Sequence, residues 1–172
     1  MVLVMTATPL AMRSAGFEMS QVAFIMQWHV LGMFAPSFVT GSLIARFGVD
    51  RILLAGAALL AVAVLLANLG QTIGHFWMAL VLLGVGWNFL FIGGSALLST
   101  VHSETERGKV QGINDLIIFS LVAVGSLMSG QLFHRLSWET LNLAMLPLIL
   151  LVALSILGWS LGRRVASRRS LD

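Results

Sequence analysis

The stretch G-S-L-I-A-R-F-G-V-D-R, residues 41–51, decides how this chain folds. It lies between two long apolar runs and has the parts of a tight turn between helices. Arg46 places a cation at a helix C-terminus, where the helix dipole favours it. Gly48 is suited to end that helix in a left-handed conformation. Gly41 and Ser42 let another backbone approach the helix end closely. Arg51 then anchors the following helix at headgroup level.

The composition around this turn is that of a polytopic membrane protein. Of 172 residues, 58% are hydrophobic and 10% are charged, and the mean hydropathy is +0.96. A soluble domain carries about 25% charged residues, so a soluble chain this apolar would lack polar surface to cover itself. The charges gather in short gaps between apolar runs. Cysteine is absent, which excludes disulfides, thiolate nucleophiles and thiolate metal sites. The sequence pI near 11.1 comes from arginines at helix ends and in the tail. That placement suits anionic lipid headgroups. The aromatic–basic interleaving that single-stranded nucleic acid requires is missing, so no nucleic-acid partner is expected. The first residues lack the basic region of a signal peptide.

A bilayer-crossing helix needs about 20 mostly apolar residues. Residues 21–45, 52–69, 75–99, 111–133 and 141–161 approximately meet that length. Residues 1–12 do not, since at 1.5 Å per residue they reach only about 18 Å against a hydrocarbon core of about 30 Å. The expected fold is an all-α integral membrane bundle of five full spans preceded by a truncated one. It occupies residues 1–162, and a basic tail follows at 163–172. Along the chain the gaps alternate sides. Arg46, Arg51, Arg107, Lys109, Arg163, Arg164, Arg168 and Arg169 fall on one side, and Arg13 and Arg135 on the other, which accounts for the ten Lys and Arg. The first side is therefore read as cytoplasmic, with the C-terminus inside. In the long gap 101–110, Ser103 and Glu106 have capping-box spacing, and Glu104 and Glu106 suit a helix N-terminus. The fourth full span is expected to begin near Ser103 and enter the membrane after Lys109.

The loop at 41–51, the order of the spans, and E-T-E-R-G-K-V-Q-G-I-N-D before the fourth full span resemble the carboxyl-terminal half of a transporter of the major facilitator superfamily. In that family's helix order the chain would supply the end of the seventh helix and then the eighth to twelfth. The family's strongest loop signature has an aspartate before the arginine, and here that place is Ala45. The second half often carries such a degenerate copy, so Ala45 fits the second half and removes a carboxylate that would pair with a loop arginine. The resemblance implies alternating-access transport of a small organic solute across an inner membrane. No enzyme signature is present in the residues, and no enzyme activity, cofactor or metal is expected. It implies that an N-terminal half is missing and that the chain is inactive alone, with the solute site at the interface between halves. It makes Gly41, Arg46, Gly48, Arg51, Glu106, Arg107 and Lys109 the cytoplasmic gate loops. Two other readings remain: a half-size transporter acting as a homodimer, and a multi-span protein that does not transport.

Polar groups at membrane depth mark candidate sites. His29 shares a helical stripe with Gly32, Met33, Pro36 and Thr40. That small, polar face suits a cavity, with a coupling proton on His29, or a close helix contact with a backbone carbonyl satisfying the ring. Gln27 lies on another face with Leu31, Phe34 and Phe38, and a hydrogen bond to a neighbouring helix is expected of it. Trp87 and Asn88 sit among Gly84, Gly86, Gly93 and Gly94, and offer either solute contact or helix-packing hydrogen bonds. Asp115 is the carboxylate inside an apolar run. It is a candidate for proton coupling, or else a structural acid bonded within the helix end together with Gln111 and Asn114. Thr6 and Thr8 belong to the truncated helix, which the resemblance places beside the central cavity; otherwise they bond back to their own helix. Pro36 and Pro147 are expected to kink spans. Gly125–Ser129 and Ser126–Gly130 have the spacing of packing faces. The four histidines are too dispersed for a shared metal site, and there is no Walker-type loop.

Overall fold

The computed structural model describes residues 1–101, 103 and 105–169, with side chains described as far as Arg163. Glu104, the side chains of Arg164, Arg168 and Arg169, and the tail's last three residues lie outside the described residues. The described chain is helical throughout: α1 (Val2–Ser14), α2 (Met19–Phe34), α3 (Ser37–Phe47), α4 (Val49–Leu69), α5 (Ile73–Leu98), α6 (Arg107–Arg135), α7 (Trp138–Leu143) and α8 (Leu146–Arg169). Four segments are long and apolar enough to cross a membrane: α4, α5, α6 and the stretch Trp138–Arg163. A fifth forms if α2 and α3, bent by 40° at their break, count as one span.

Local chemistry sets the helix ends. Glu18 and Gln21 form a reciprocal capping box at the start of α2, with the Glu18 N–H donating to Gln21 Oε1 at 2.9 Å. Thr72 caps α5 and Ser137 caps α7 through their hydroxyls. Gly48 joins α3 to α4 at φ +87°, a conformation a side chain would strain. Pro36 lies in the break between α2 and α3, where it can give no N–H to the Gly32 carbonyl. Pro147 was expected to bend its span. It occupies the first turn of α8, a position proline tolerates, and the interruption falls before it, between α7 and α8. At the start of α6 the helix begins at Arg107 with Glu106 as the cap residue, not near Ser103. Ser103 Oγ donates to the Glu106 carboxylate at 2.8 Å, so the two side chains meet each other across the turn.

α5 is the central element, with α4 packed on one side and α2 on the other. Glycines make both approaches close. A Cβ on Gly84 would stand 2.6 Å from the His29 carbonyl of α2, and one on Gly32 would stand 2.9 Å from the Val81 carbonyl of α5. Toward α4, Gly56 and Gly86 face each other's carbonyls at 3.0 and 2.9 Å. α1 lies against α6, where Gly125 receives Val2 and Ser129 is buried. The second small-residue pair behaves differently: Ser126 is exposed and Gly130 has no neighbour at its Cβ position. Gly41, expected to admit another backbone, also has none, because Thr40 is the one fully buried residue of α3.

The two ends of the bundle are held differently. At one end Phe17, Phe76 and Trp138 form a ring cluster with centroids 5.8 and 5.4 Å apart. There Trp138 Nε1 donates to the Ala67 carbonyl at 3.0 Å and Gln71 Nε2 to Glu139 at 2.7 Å. The main buried cluster, with Met12, Ile25, Leu80 and Leu141, packs beside them. At the other end, which carries Arg46, Arg51, Arg107 and Lys109, Arg163 pairs with Asp50 at 3.0 Å and lies over the Trp159 ring at 4.0 Å.

Candidate functional site

The densest polar arrangement within the bundle is at the break between α2 and α3. Asn88, 2% exposed in mid-α5, donates from Nδ2 to the Met33 carbonyl and to Ser37 Oγ, both at 2.7 Å. Thr40 Oγ1 is placed to donate to Asn88 Oδ1 at 2.7 Å and lies 2.8 Å from the Pro36 carbonyl. One amide therefore takes up a backbone carbonyl at the break and ties both half-helices to α5. Asn88 acts here as a structural latch, the packing role its glycine-rich context allowed.

One turn and more above this latch, His29 is fully buried. Its Nδ1 lies 2.7 Å from the Leu80 carbonyl, and its Nε2 has no hydrogen-bond partner among the described residues. The stripe His29–Gly32–Met33–Pro36–Thr40 is thus the contact face toward α5. Gln27, expected to bond a neighbouring helix, is exposed instead. It lines a shallow apolar depression with Met26, Val30, Leu31 and Phe34.

Trp87 faces away from the latch and belongs to an aromatic wall. It stacks on Phe91 with centroids 4.8 Å apart and rings at 14°, and meets Phe34 edge-on at 6.4 Å. Phe34 is 58% exposed. In α1 the hydroxyls of Thr6 and Thr8 bond back to the carbonyls of Val2 and Val4 at 2.6 and 2.7 Å. Asp115 accepts from Gln111 at 3.3 Å and from Asn114 at 3.2 Å, a cluster inside the first turns of α6. The structure does not bring His29, Trp87, Thr6, Thr8 and Asp115 into one constellation. The described residues contain no group of His, Asp or Glu able to hold a metal.

In the loop at 41–51, Arg46 lies over the Phe47 ring at 5.2 Å, and Arg51 is exposed. Glu106, Arg107, Gly108 and Lys109 are exposed at the same end. Asp50 is the functional-looking residue that sequence reasoning passed over. It lies in the first turn of α4 and reaches α8 through Arg163. Its acidic character between Arg46 and Arg51 was the available signal, but nothing in the sequence said which cation it would meet.

Residues 1–171 match the family description Major Facilitator Superfamily. The chain belongs to the Major Facilitator Superfamily. It is 47% identical over 157 residues to the riboflavin transporter RfnT of Brucella anthropi, covering 91% of this chain and 39% of that protein. It is 33% identical over 165 residues to YdeG of Bacillus subtilis, described as an uncharacterized MFS-type transporter, covering 95% of this chain and 38% of that one. YddS of the same organism, described likewise, is 34% identical over 155 residues, with 88% and 36% covered. The chain therefore spans under two-fifths of the length of these relatives. No solved structure matches it. Family membership and the apolar helices together make this a multi-pass membrane protein of a transport family.

Proposed function

We propose that the chain is the carboxyl-terminal half of a facilitator-type secondary transporter whose complete form carries riboflavin or a similar flat heterocycle. The observation that carries this is the 47% identity with a riboflavin transporter along 91% of the chain. In this reading the chain is inactive alone and works by alternating access against an amino-terminal half. The basic end with Gly41, Arg46, Gly48, Arg51, Glu106, Arg107 and Lys109 faces the cytoplasm and helps close that side. The C-terminus is cytoplasmic and the membrane is the inner one.

Among the solute-contact candidates, Trp87 has the geometry best suited to a flat ring. It is part-exposed and flanked by Phe34 and Phe91, and aromatic faces favour offset or edge-on partners. Asn88, Thr6 and Thr8 have their polar groups engaged, so their contribution is to shape the wall. His29, with one free ring nitrogen, and Asp115 are the candidates for a coupling proton.

The test is flux in proteoliposomes containing this chain joined to an amino-terminal half. Saturable riboflavin flux is expected, with Trp87→Ala raising the half-saturating concentration about tenfold, the worth of roughly 1–1.5 kcal/mol of ring contact. A joined protein that moves other small organic solutes but not riboflavin would refute the solute assignment. Proton-driven flux unchanged in both His29→Ala and Asp115→Asn would remove these two as proton carriers.

A further inference from the structure

The depression on α2 holds one amide in apolar surroundings. Met26, Gln27, Val30, Leu31 and Phe34 line it. Gln27 is exposed there, and among the described residues its side chain has no hydrogen-bond partner. From the start of α2 at Met19 the helix rises about 12 Å to Gln27, so the amide stands at a depth where water is scarce. An unpaired amide is costly in such a place. The other polar side chains of this region do not answer it. His29, Thr40 and Asn88 are turned to the contact between α2 and α5, and Gln27 lies on a different face.

Phe34 joins this depression to the aromatic wall. It lines the depression, and its ring meets Trp87 edge-on at 6.4 Å, while Trp87 stacks on Phe91 at 4.8 Å. Gln27 and Phe34 are two helical turns apart on one face of α2, a rise of about 10 Å. Flat aromatic area thus stands at one end of the surface and a single donor–acceptor amide at the other. Val30 and Leu31 form an apolar floor between them. Small-molecule sites have this character, an apolar lining with a few polar groups that fix orientation.

We infer that Gln27 is a specificity-determining residue, which holds the polar edge of a flat heterocycle whose body lies along Leu31 and Phe34 toward Trp87. The inference rests on the riboflavin-type transporter reading and names the side chain that selects the solute. The solute class is a fused planar ring with an imide or lactam edge, where a ring N–H stands beside a carbonyl. A glutamine amide meets that edge with one acceptor and one donor. An analogue without the N–H leaves the amide unpaired and is rejected. Riboflavin has such an edge on its pyrimidinedione ring. Methylation at N3 removes the N–H and leaves the ring flat.

The test compares binding of riboflavin and 3-methylriboflavin by this chain joined to an amino-terminal half, in lipid nanodiscs, read by quenching of flavin fluorescence. The joined protein is expected to hold riboflavin about tenfold more tightly than the methylated form. Gln27→Met keeps the length of the side chain and removes the amide. It should weaken riboflavin about tenfold, leave the methylated form unchanged and so abolish the preference. Trp87→Ala should weaken both ligands and preserve the preference, because it removes ring contact and leaves the amide in place. Equal affinity for the two ligands on the unsubstituted protein overturns the inference. So does an equal loss for both in Gln27→Met, the result expected if Gln27 bonds a helix of the other half. Riboflavin flux by the same proteins is scored separately. A Gln27-dependent preference without flux sinks the transport reading alone, and flux without the preference sinks the Gln27 assignment alone. Binding of neither ligand overturns both.

Discussion

Asn88 shows how much one side chain contributes when a helix is broken inside an apolar bundle. Its amide meets the Met33 carbonyl, Ser37 and Thr40, and replacement by leucine leaves these groups unpaired where water is scarce. A buried group left unsatisfied costs about 1–3 kcal/mol. Asn88→Leu is therefore expected to lower stability by about 2–3 kcal/mol, read as a fall in the thermal unfolding midpoint in detergent. Thr40→Val removes one bond and should cost about 1 kcal/mol. The double variant should cost less than the sum, because the two residues bond each other. A helical wheel separated the face of His29 from that of Gln27, and this much was legible. Which face would meet α5 was not. The wheel fixes directions around one helix and says nothing of the neighbour's position, so the polar stripe became a packing contact and the Gln27 face was left open.

Glycine positions control packing and turns at the scale of the element. Gly84→Ala brings a methyl group onto the His29 carbonyl, where an approach of 2.6 Å is too short for contact. The α2–α5 pair must part, and a loss of about 1–3 kcal/mol is expected. Gly94→Ala is the matched control on the same helix. It has open space at its Cβ position and replaces glycine by a better helix former, so a gain of up to about 1 kcal/mol is expected. Thermal unfolding of the two variants side by side checks the pair. Gly48→Ala should cost about 1–2 kcal/mol, because φ is +87° there. Apolar run length revealed the long helices well, since burial in lipid demands it. The breaks were less legible. Pro36 was read correctly as a site of bending, but Pro147 acts as a helix starter, because the same missing N–H is harmless in a first turn. The Glu18–Gln21 capping box went unnoticed because glutamate is an uncommon cap, while Ser103–Glu106 had the right spacing and a different use.

At the scale of the whole molecule, the family assignment explains why so many large apolar residues lie at the surface of the bundle. The clasp between Asp50 and Arg163 is the one ion pair among the described residues. Its arginine side chain is 55% exposed, so the pair contributes at most about 1 kcal/mol. Asp50→Asn is expected to cost that much or less, with the difference from the parent shrinking as salt is raised, measured by thermal unfolding across an ionic-strength series. The fold class could be read from hydropathy and charge alone, as five long apolar stretches and one short one. The clasp could not, because the cation that Asp50 meets depends on how α8 stands beside α4.

The central claim is that this chain carries half of a riboflavin-type transporter. Uptake of radiolabelled riboflavin tests it most directly, in cells lacking their own uptake system and expressing either this chain alone or this chain joined to an amino-terminal six-helix half. Saturable uptake by the joined protein and none by the chain alone is predicted. Uptake by the chain alone, or none by a joined protein correctly inserted in the membrane, would contradict it.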